Sequence, residues 1–374
     1  MKELNNPFVV YGYKGAAYFC DREKETEKIV KGLSNERNIT LIAPRRIGKT
    51  GLIHHVFAQI KKQQPEICCI YFDILSTKTL EQFVQLMARN VLGKLDTPSQ
   101  TALRKVQEFF SAFRPTMTFD ANSGMPTFSL DVAKSQEEMS LQRIFEYLKQ
   151  SNKRCYIAID EFQQIINYPG TDTEALLRSF IQFVPNVYFI FAGSKQHMMS
   201  DIFLSPDRPF YQGAQIVNIK EIDECIYYGF SDALFKKGGR YLPESVFHYL
   251  YDKVDGQTWY VQATMNRIYS NQTGEISYAD VDEAIQELID EEEVAFENYY
   301  SSLTTNQAAL LLAIAREKNV KSPMSQVFIS KYRLPALSSI KTALESLSES
   351  QFIYQYQGGY IVYDRFFGMW LRNL

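Results

Sequence analysis

Four short apolar runs punctuate the first part of the chain: NITLIA (38–43), ICCIYFDI (67–74), CYIAID (155–160) and VYFIFAG (187–193). Each is rich in β-branched and aromatic residues and lacks a polar alternation, the pattern of strands buried on both faces. Between them apolar residues recur at helical spacing in GKTGLIHHVFAQIKKQ (48–63), LEQFVQLMARNVLGKL (80–95), SLQRIFEYLKQS (140–151) and TEALLRSFIQFV (173–184). Strand and helix in alternation predict an α/β core, a parallel sheet with helices on both faces. PTMTFDANSGMPTFSLDV (115–132) interrupts it, alternating apolar and polar residues around Asn-Ser-Gly, and predicts an inserted β-hairpin.

After AQIVNIKEID (214–223) the strand signal stops, and the pattern is helical to about residue 300. No Lys or Arg occurs from Glu275 to Tyr300, so the closing helix of this stretch presents an acidic, solvated face. TTNQAALLLAIAREKN (304–319), SQVFISKY (325–332) and ALSSIKTALESLSES (336–350) then predict three helices, the last with Ile340, Leu344 and Leu347 on one side. FIYQYQGGYIVYD (352–364) sets Gly358-Gly359 between two strands, a two-residue hairpin signal. Three helices and a hairpin make a winged helix. The expected division is a core over 1–219 with the insert at about 115–132, a helical segment over 220–300, and a winged helix over 301–374.

A length of 374 residues suits two or three domains. The net charge of −3 excludes a chain that coats nucleic acid through bulk basicity. Five cysteines form no C-x-x-C pair, and Cys68, Cys69 and Cys155 lie in apolar runs, as small core residues of a reducing compartment would. MKELNNPFVV carries no secretory apolar region and VYFIFAG falls far short of the roughly 20 residues of a membrane span. The expectation is a cytoplasmic protein.

The chemistry begins at TLIAPRRIGKTG (40–51), a strand end followed by a loop and a helix. Gly48, Lys49 and Thr50 fill the second half of G-x-x-x-x-G-K-[ST], in the context that motif requires. Backbone N–H groups from Ala43, Pro44's neighbours Arg45, Arg46 and Ile47, and Gly48 to Gly51 would cradle phosphates at the positive end of the helix. Lys49 would reach the β- and γ-phosphates and Thr50 would ligate Mg²⁺. Ala43 stands where the first glycine is expected. Only a positive φ would exclude alanine there, and Pro44 biases its predecessor to extended backbone instead. Arg45 and Arg46 either contact phosphate or are solvated at the loop tip.

CYIAIDEF places Asp160 and Glu161 at the carboxyl end of a buried strand, where open α/β sheets bind ligands. Asp160 would hold the Mg²⁺ shell and Glu161 would activate the attacking water. Asp73 ends a second strand and could support them. IFAGSKQ ends a third at Gly193-Ser194-Lys195, where Ser194 could sense the γ-phosphate. His54 and His55 lack metal-ligand companions and read as packing or surface residues.

FCDREKETEKI, LIAPRRIGKT, YIAIDEFQQI, FIFAGSKQHMM, GQTWYVQ and YIVYDRFFGMWLR, in this order over nearly the whole chain, resemble the archaeal-type ATPase family, in the STAND branch of AAA-plus-like P-loop ATPases. The resemblance implies an ATPase core, a helical lid and a C-terminal winged helix, with ATP and Mg²⁺ as ligands. It implies ATP binding and hydrolysis by Ala43 to Thr50, Asp160, Glu161 and Ser194, and places Asp21 and Arg22 near the adenine. The chain departs from the family pattern twice: RPFYQGAQ lacks the arginine that often follows P-[LF]-Y-G, with Arg208 preceding it instead, and DGQTWY lacks the proline of a Gly-x-Pro lid motif.

Two further functions stand beside a switch ATPase: a nucleotide-holding DNA-binding regulator and a protein-interaction scaffold with little turnover. The third C-terminal helix turns Ser339, Lys341, Thr342, Glu345, Ser346 and Glu349 outward, poor equipment for phosphates and base edges. A protein partner is therefore favoured over DNA. Nothing marks an acceptor site for a kinase.

Overall fold

The uniformly apolar runs become strands, with both faces covered in all but the edge strand formed by 67–74. The computed structural model describes residues 4–95, 113–119, 126–132, 137–151, 153–170 and 172–374. In chain order the strands are β1 (Ile39–Ile42), β2 (Cys68–Asp73), the hairpin pair β3 (Phe113–Phe119) and β4 (Pro126–Val132), β5 (Cys155–Asp160), β6 (Val187–Gly193) and β7 (Gln215–Asn218). Five of them form one parallel sheet in the order β2–β5–β6–β1–β7, while β3 and β4 pair antiparallel as a separate hairpin. The edge strand β7 is short and partly exposed, and it lies in AQIVNIKEID, where the strand signal of the sequence ends.

Successive strand residues point to opposite faces. Leu41, Tyr156, Ala158 and Ile190 pack with α1 (Glu23–Ser34) and α2 (Lys49–Gln63). Ile42, Ile157, Phe189 and Phe191 pack on the other face with α3 (Leu80–Leu95), α4 (Glu137–Gln150), α5 (Thr173–Ile181) and α6 (Gln196–Leu204). On this face the rings of Phe162, Phe191, Phe203 and Phe210 lie 4.5 to 5.9 Å apart. Such tilted and edge-on pairs each add about 0.5–1.5 kcal/mol beyond their buried area.

The chain separates into two compact units, Tyr11–Asp223 and Glu224–Leu374, the latter joined by the N-terminal segment up to Val10. That segment is tied by Asn266, whose side chain donates to the Phe8 carbonyl at 2.7 Å and whose carbonyl accepts from Asn6 at 2.8 Å. The second unit contains α7 (Glu224–Lys237), α8 (Glu244–Lys253), α9 (Thr258–Asn271), α10 (Tyr278–Glu291) and α11 (Glu293–Ser301). Ser277 with Asp280 forms a reciprocal cap at the start of α10, as Thr304 with Gln307 does for the next helix. The acidic face of α10 is partly paired, since Arg267 reaches Glu287 and Glu291 at 2.8 and 2.6 Å. No described helix is long and apolar enough to cross a membrane.

The C-terminal part is a winged helix: α12 (Thr305–Glu317), α13 (Gln326–Tyr332), α14 (Leu337–Glu349), then β8 (Ile353–Tyr356), β9 (Gly359–Val362) and a closing α15 (Arg365–Arg372). The hairpin turn differs by one residue from the Gly358-Gly359 expectation. Tyr356 pairs with Gly359, which leaves Gln357 and Gly358 in the turn with φ of 50° and 79°. Two successive positive φ values match the twist of the flanking strands. Gly359 is needed for a different reason: a Cβ there would come within 1.8 Å of Asn319 Oδ1, where Val320 and Tyr360 exchange backbone hydrogen bonds at 2.9 and 2.8 Å. Gly359→Ala should lower the unfolding free energy of this unit by about 1–3 kcal/mol through overpacking, read from urea denaturation.

Arg365 opens α15 and fastens it to the preceding helices. Its buried guanidinium lies 2.7 Å from the Asp255 carboxylate and donates to the Val362 carbonyl at 2.6 Å and the Tyr354 hydroxyl at 3.0 Å. Its backbone N–H donates to Tyr260 Oη at 3.0 Å, and Gln257 donates to the same Tyr354 hydroxyl at 3.0 Å.

Candidate functional site

The turn between β1 and α2 takes the shape its sequence demands, with the strain placed elsewhere than the missing glycine suggested. Ala43 is fully buried and is not at positive φ; the left-handed residues are Arg46 at 65° and Gly48 at 99°. Gly48 is therefore required by backbone conformation, for a Cβ there would meet no protein atom within 4 Å. Arg46, which carries the same conformation at a steric cost, was not distinguishable from its neighbours by sequence. Ile47 anchors the loop in the apolar layer beneath, while Arg46, Gly48 and Thr50 are exposed on its outer side.

Lys49 is buried and donates to the carbonyls of Ala43 and Pro44 at 3.0 and 2.9 Å. The lysine closes the loop on itself, with its ammonium at the loop's centre. Burial pushes that ammonium down to about 8; Glu161 and Asp160 pull it up, and Arg45 pushes it down. Arg22, itself left-handed at φ 76° beside Asp21 at 56°, donates to the Ile47 carbonyl at 3.3 Å and pairs with Glu25 at 3.2 Å. It props the loop from behind. Gly51, on the first turn of α2, faces Phe19, whose ring stacks on His55 at 4.5 Å.

Asp160 ends β5 directly beside the loop. Its Oδ2 accepts from Thr50 Oγ1 at 2.7 Å and from Tyr71 Oη at 3.0 Å, and Oδ1 accepts from the Glu161 N–H at 3.0 Å. Burial and the adjacent Asp160 charge push the Tyr71 phenol well above its usual range. Asp73 lies in register with Asp160 and accepts from the Leu75 N–H at 2.7 Å; burial raises its carboxyl.

Glu161 follows in left-handed backbone at φ 56°. Its Oε2 accepts from Gln163 Nε2 at 2.6 Å, from Ser194 Oγ at 2.7 Å and from the Ser194 N–H at 3.4 Å. Ser194 in turn accepts from Arg45 Nε at 3.3 Å. The loop, the acidic pair and the strand-end serine thus form one connected network.

Tyr71 and Gln163 were not anticipated. Tyr71 sits inside an apolar run with nothing to mark it, and Gln163, two residues after Glu161, stands beside a second glutamine, Gln164, from which the sequence does not distinguish it. His55 is a packing residue held between Tyr13 Oη at 3.0 Å and Gln59 Nε2 at 2.8 Å, and His54 lies against the Tyr71 ring. Burial lowers both imidazoles. Arg208 is engaged by Glu174 at 3.0 Å and Asp201 at 3.4 Å, carboxylates of α5 and α6.

A parallel sheet of this order, carrying a Gly-Lys-Thr loop against an Asp-Glu strand end, defines a P-loop ATPase fold. The chain belongs to the family described as "ATPase domain predominantly from Archaea", whose profile matches residues 19–264, and a "Probable winged helix domain" profile matches residues 294–373. It is 24% identical over 248 residues to the ATP-binding protein MJ1659 of Methanocaldococcus jannaschii, a match that spans 62% of this chain and 64% of that relative's length. Among solved structures it is similar to the Walker-type ATPase PABY2304 of Pyrococcus abyssi, with a TM-score of 0.67, 18% identity, and 98% and 99% of the two chains covered. The ORC1 protein of Aeropyrum pernix, solved in complex with DNA, aligns with a TM-score of 0.57 at 12% identity over 98% and 96% of the chains. At these identities the likeness concerns the fold.

Proposed function

We propose that the protein is a switch ATPase that binds Mg-ATP at Ala43–Gly51 and hydrolyses it, and whose nucleotide state controls residues 220–300 as a lid together with the winged helix. The observation that carries this reading is the 2.7 Å bond from Thr50 to Asp160, which joins the phosphate loop to the acidic strand end. Two hard oxygen donors meeting at a phosphate loop fit Mg²⁺. The ion would neutralise charge on the β- and γ-phosphates. Lys49 would orient those phosphates, Asp160 and Thr50 would hold the metal, and Glu161 would take the proton of the attacking water. Ser194 would report the terminal phosphate. Arg22 supports the loop through Ile47, and with Asp21 it borders the side assigned to the base.

The bonds of Arg365 and Gln257 to Tyr354 support a switch in which lid and winged helix respond as one body. A protein partner is favoured over DNA. On α14 Lys341 lies 4.0 Å from Glu345, and on α13 Lys331 is held by Glu317, so basic groups of the winged helix are engaged by carboxylates.

Calorimetric titration with Mg-ATP tests the reading, and its pH dependence tests Lys49. Phosphate favours the ammonium form, which in the free protein is lost above about 8. Affinity should be flat below that pH and fall by up to about tenfold per pH unit from there towards the ordinary lysine value near 10.4. The absence of binding heat overturns the ATPase reading; an affinity independent of pH up to 10 removes Lys49 from the phosphates.

A further inference from the structure

The second unit holds a recess formed wholly by residues outside those assigned to the nucleotide. It measures about 40 Å³ and opens between the end of α8, the end of α12, strand β9 and α15. Such a volume admits several waters, or one carboxylate or phosphate group in their place. From α15 it receives Arg365, Gly368, Met369 and Arg372, spaced as one face of a helix. Gly368 lets that face come close to the wing, since a Cβ there would stand 3.3 Å from Val362 Cβ.

The cations around the recess are unequally matched. Arg365 has the Asp255 carboxylate at 2.7 Å, and Lys253 is held by Asp282. Arg372 is half-buried and makes no ion pair among the described residues; its Nη1 donates to the Ala315 carbonyl at 3.2 Å. A guanidinium carries five N–H donors, and this bond uses one. Burial holds Arg372 below its usual range; Asp255 opposes that shift and the Arg365 charge adds to it.

Lys318 is the second unmatched cation on the lining. It ends α12 at φ 64° and ψ −51°, and the Asn319 N–H donates across it to the Glu317 carbonyl at 2.8 Å. That is the strained form of a three-residue turn, a conformation glycine adopts more easily. Backbone strain of this kind persists only under tertiary constraint, and it gathers at sites that bind.

We propose that the recess is an oxyanion site, in which Arg372 and Lys318 hold the carboxylate or phosphate head group of a small acidic ligand. The planar fork of Arg372 suits two oxygens of either group, and Lys318 adds an adaptable point charge. The ligand supplies the countercharge that Asp255, engaged by Arg365, does not. Asp252 and Asp255 are themselves exposed, so water and salt screen their repulsion of an incoming anion. Capping of α12 by Arg372 explains the bond to Ala315. It does not explain a second cation, set in strained backbone, on the same recess. An occupant would join α15 to the end of α12 beside the Arg365 fastening.

Both tryptophans of the chain, Trp259 and Trp370, belong to this unit, and Trp370 lies on α15. The test therefore follows the tryptophan fluorescence of the full chain, titrated with inorganic phosphate and separately with succinate at fixed ionic strength. A saturable change is expected with at least one of them, and the tighter anion names the head group. Saturating Mg-ADP should leave the change in place. Arg372→Gln should raise the dissociation constant roughly 10- to 100-fold, the effect of losing a hydrogen bond to a charged group. Lys318→Gln, which spares the Ala315 bond, should raise it about two- to tenfold and keep the wild-type urea midpoint, so that its weaker binding is a lost contact and not a lost fold. No saturable response to either anion overturns the proposal, as does an unchanged dissociation constant in either variant. A response that Mg-ADP abolishes belongs to the phosphate loop and overturns it too, leaving the ATPase reading intact.

Discussion

Glu161→Gln is expected to bind Mg-ATP with wild-type affinity and to hydrolyse it roughly 100- to 10,000-fold more slowly, the usual contribution of a positioned general base. The geometry explains why binding should survive. The substituted side chain keeps an oxygen where Oε2 stands, able to accept from Gln163 and Ser194, whose donors lie at 2.6 and 2.7 Å. The left-handed backbone at residue 161 is unchanged, and the oxygens proposed to hold the metal are those of Thr50 and Asp160, not of Glu161. Only the capacity to take a proton is lost. Phosphate release measured under single-turnover conditions, with calorimetry for affinity, separates the two quantities. Undiminished hydrolysis would assign the water to another group.

Lys49→Ala should act in the opposite sense, on affinity first. A hydrogen bond to a charged group is worth about 1.5–3 kcal/mol, so the dissociation constant for Mg-ATP should rise roughly 10- to 100-fold. Because Lys49 also closes the loop through the carbonyls of Ala43 and Pro44, the unfolding midpoint of the variant is measured beside its affinity. Burial has already weakened the lysine's hold on its proton. The alanine variant should accordingly lose the alkaline decline in affinity as well as the affinity itself. A titration curve that still falls above pH 8 in the variant would place the responsible group elsewhere.

The sheet was legible because its central strands β1, β5 and β6 are buried on both sides. The runs at 38–43, 67–74, 155–160 and 187–193 read directly as β1, β2, β5 and β6, while β7, an edge strand of four residues with mixed exposure, left only the weaker signal of AQIVNIKEID. The phosphate loop was legible from residue types and spacing, since Gly48, Lys49 and Thr50 match the second half of the motif between a strand and a helix. Its conformation was less so. Alanine at 43 drew attention because a motif names that position, yet the strained residue is Arg46, and φ cannot be read from a side chain that tolerates the left-handed region only under tertiary constraint. Tyr71 and Gln163 were missed for a related reason. Each acts on a carboxylate through position: Tyr71 from a neighbouring strand, and Gln163 from two residues further along the chain. The wing turn was displaced by one residue because two adjacent glycines offer two registers, and Asn319, forty residues upstream, selects between them by occupying the space beside the second.

The Arg365 junction bears on how such a chain can diversify. Arg365 meets Asp255 and Tyr260 before α10 and Val362 and Tyr354 in the wing, where Gln257 also reaches Tyr354, so neither piece carries a complete set of contacts. A transplanted wing from another lineage would leave an orphaned aspartate on one side or an uncompensated guanidinium on the other. Recombination at this seam must therefore carry both halves of the fastening, and the accessory module is inherited with its mount.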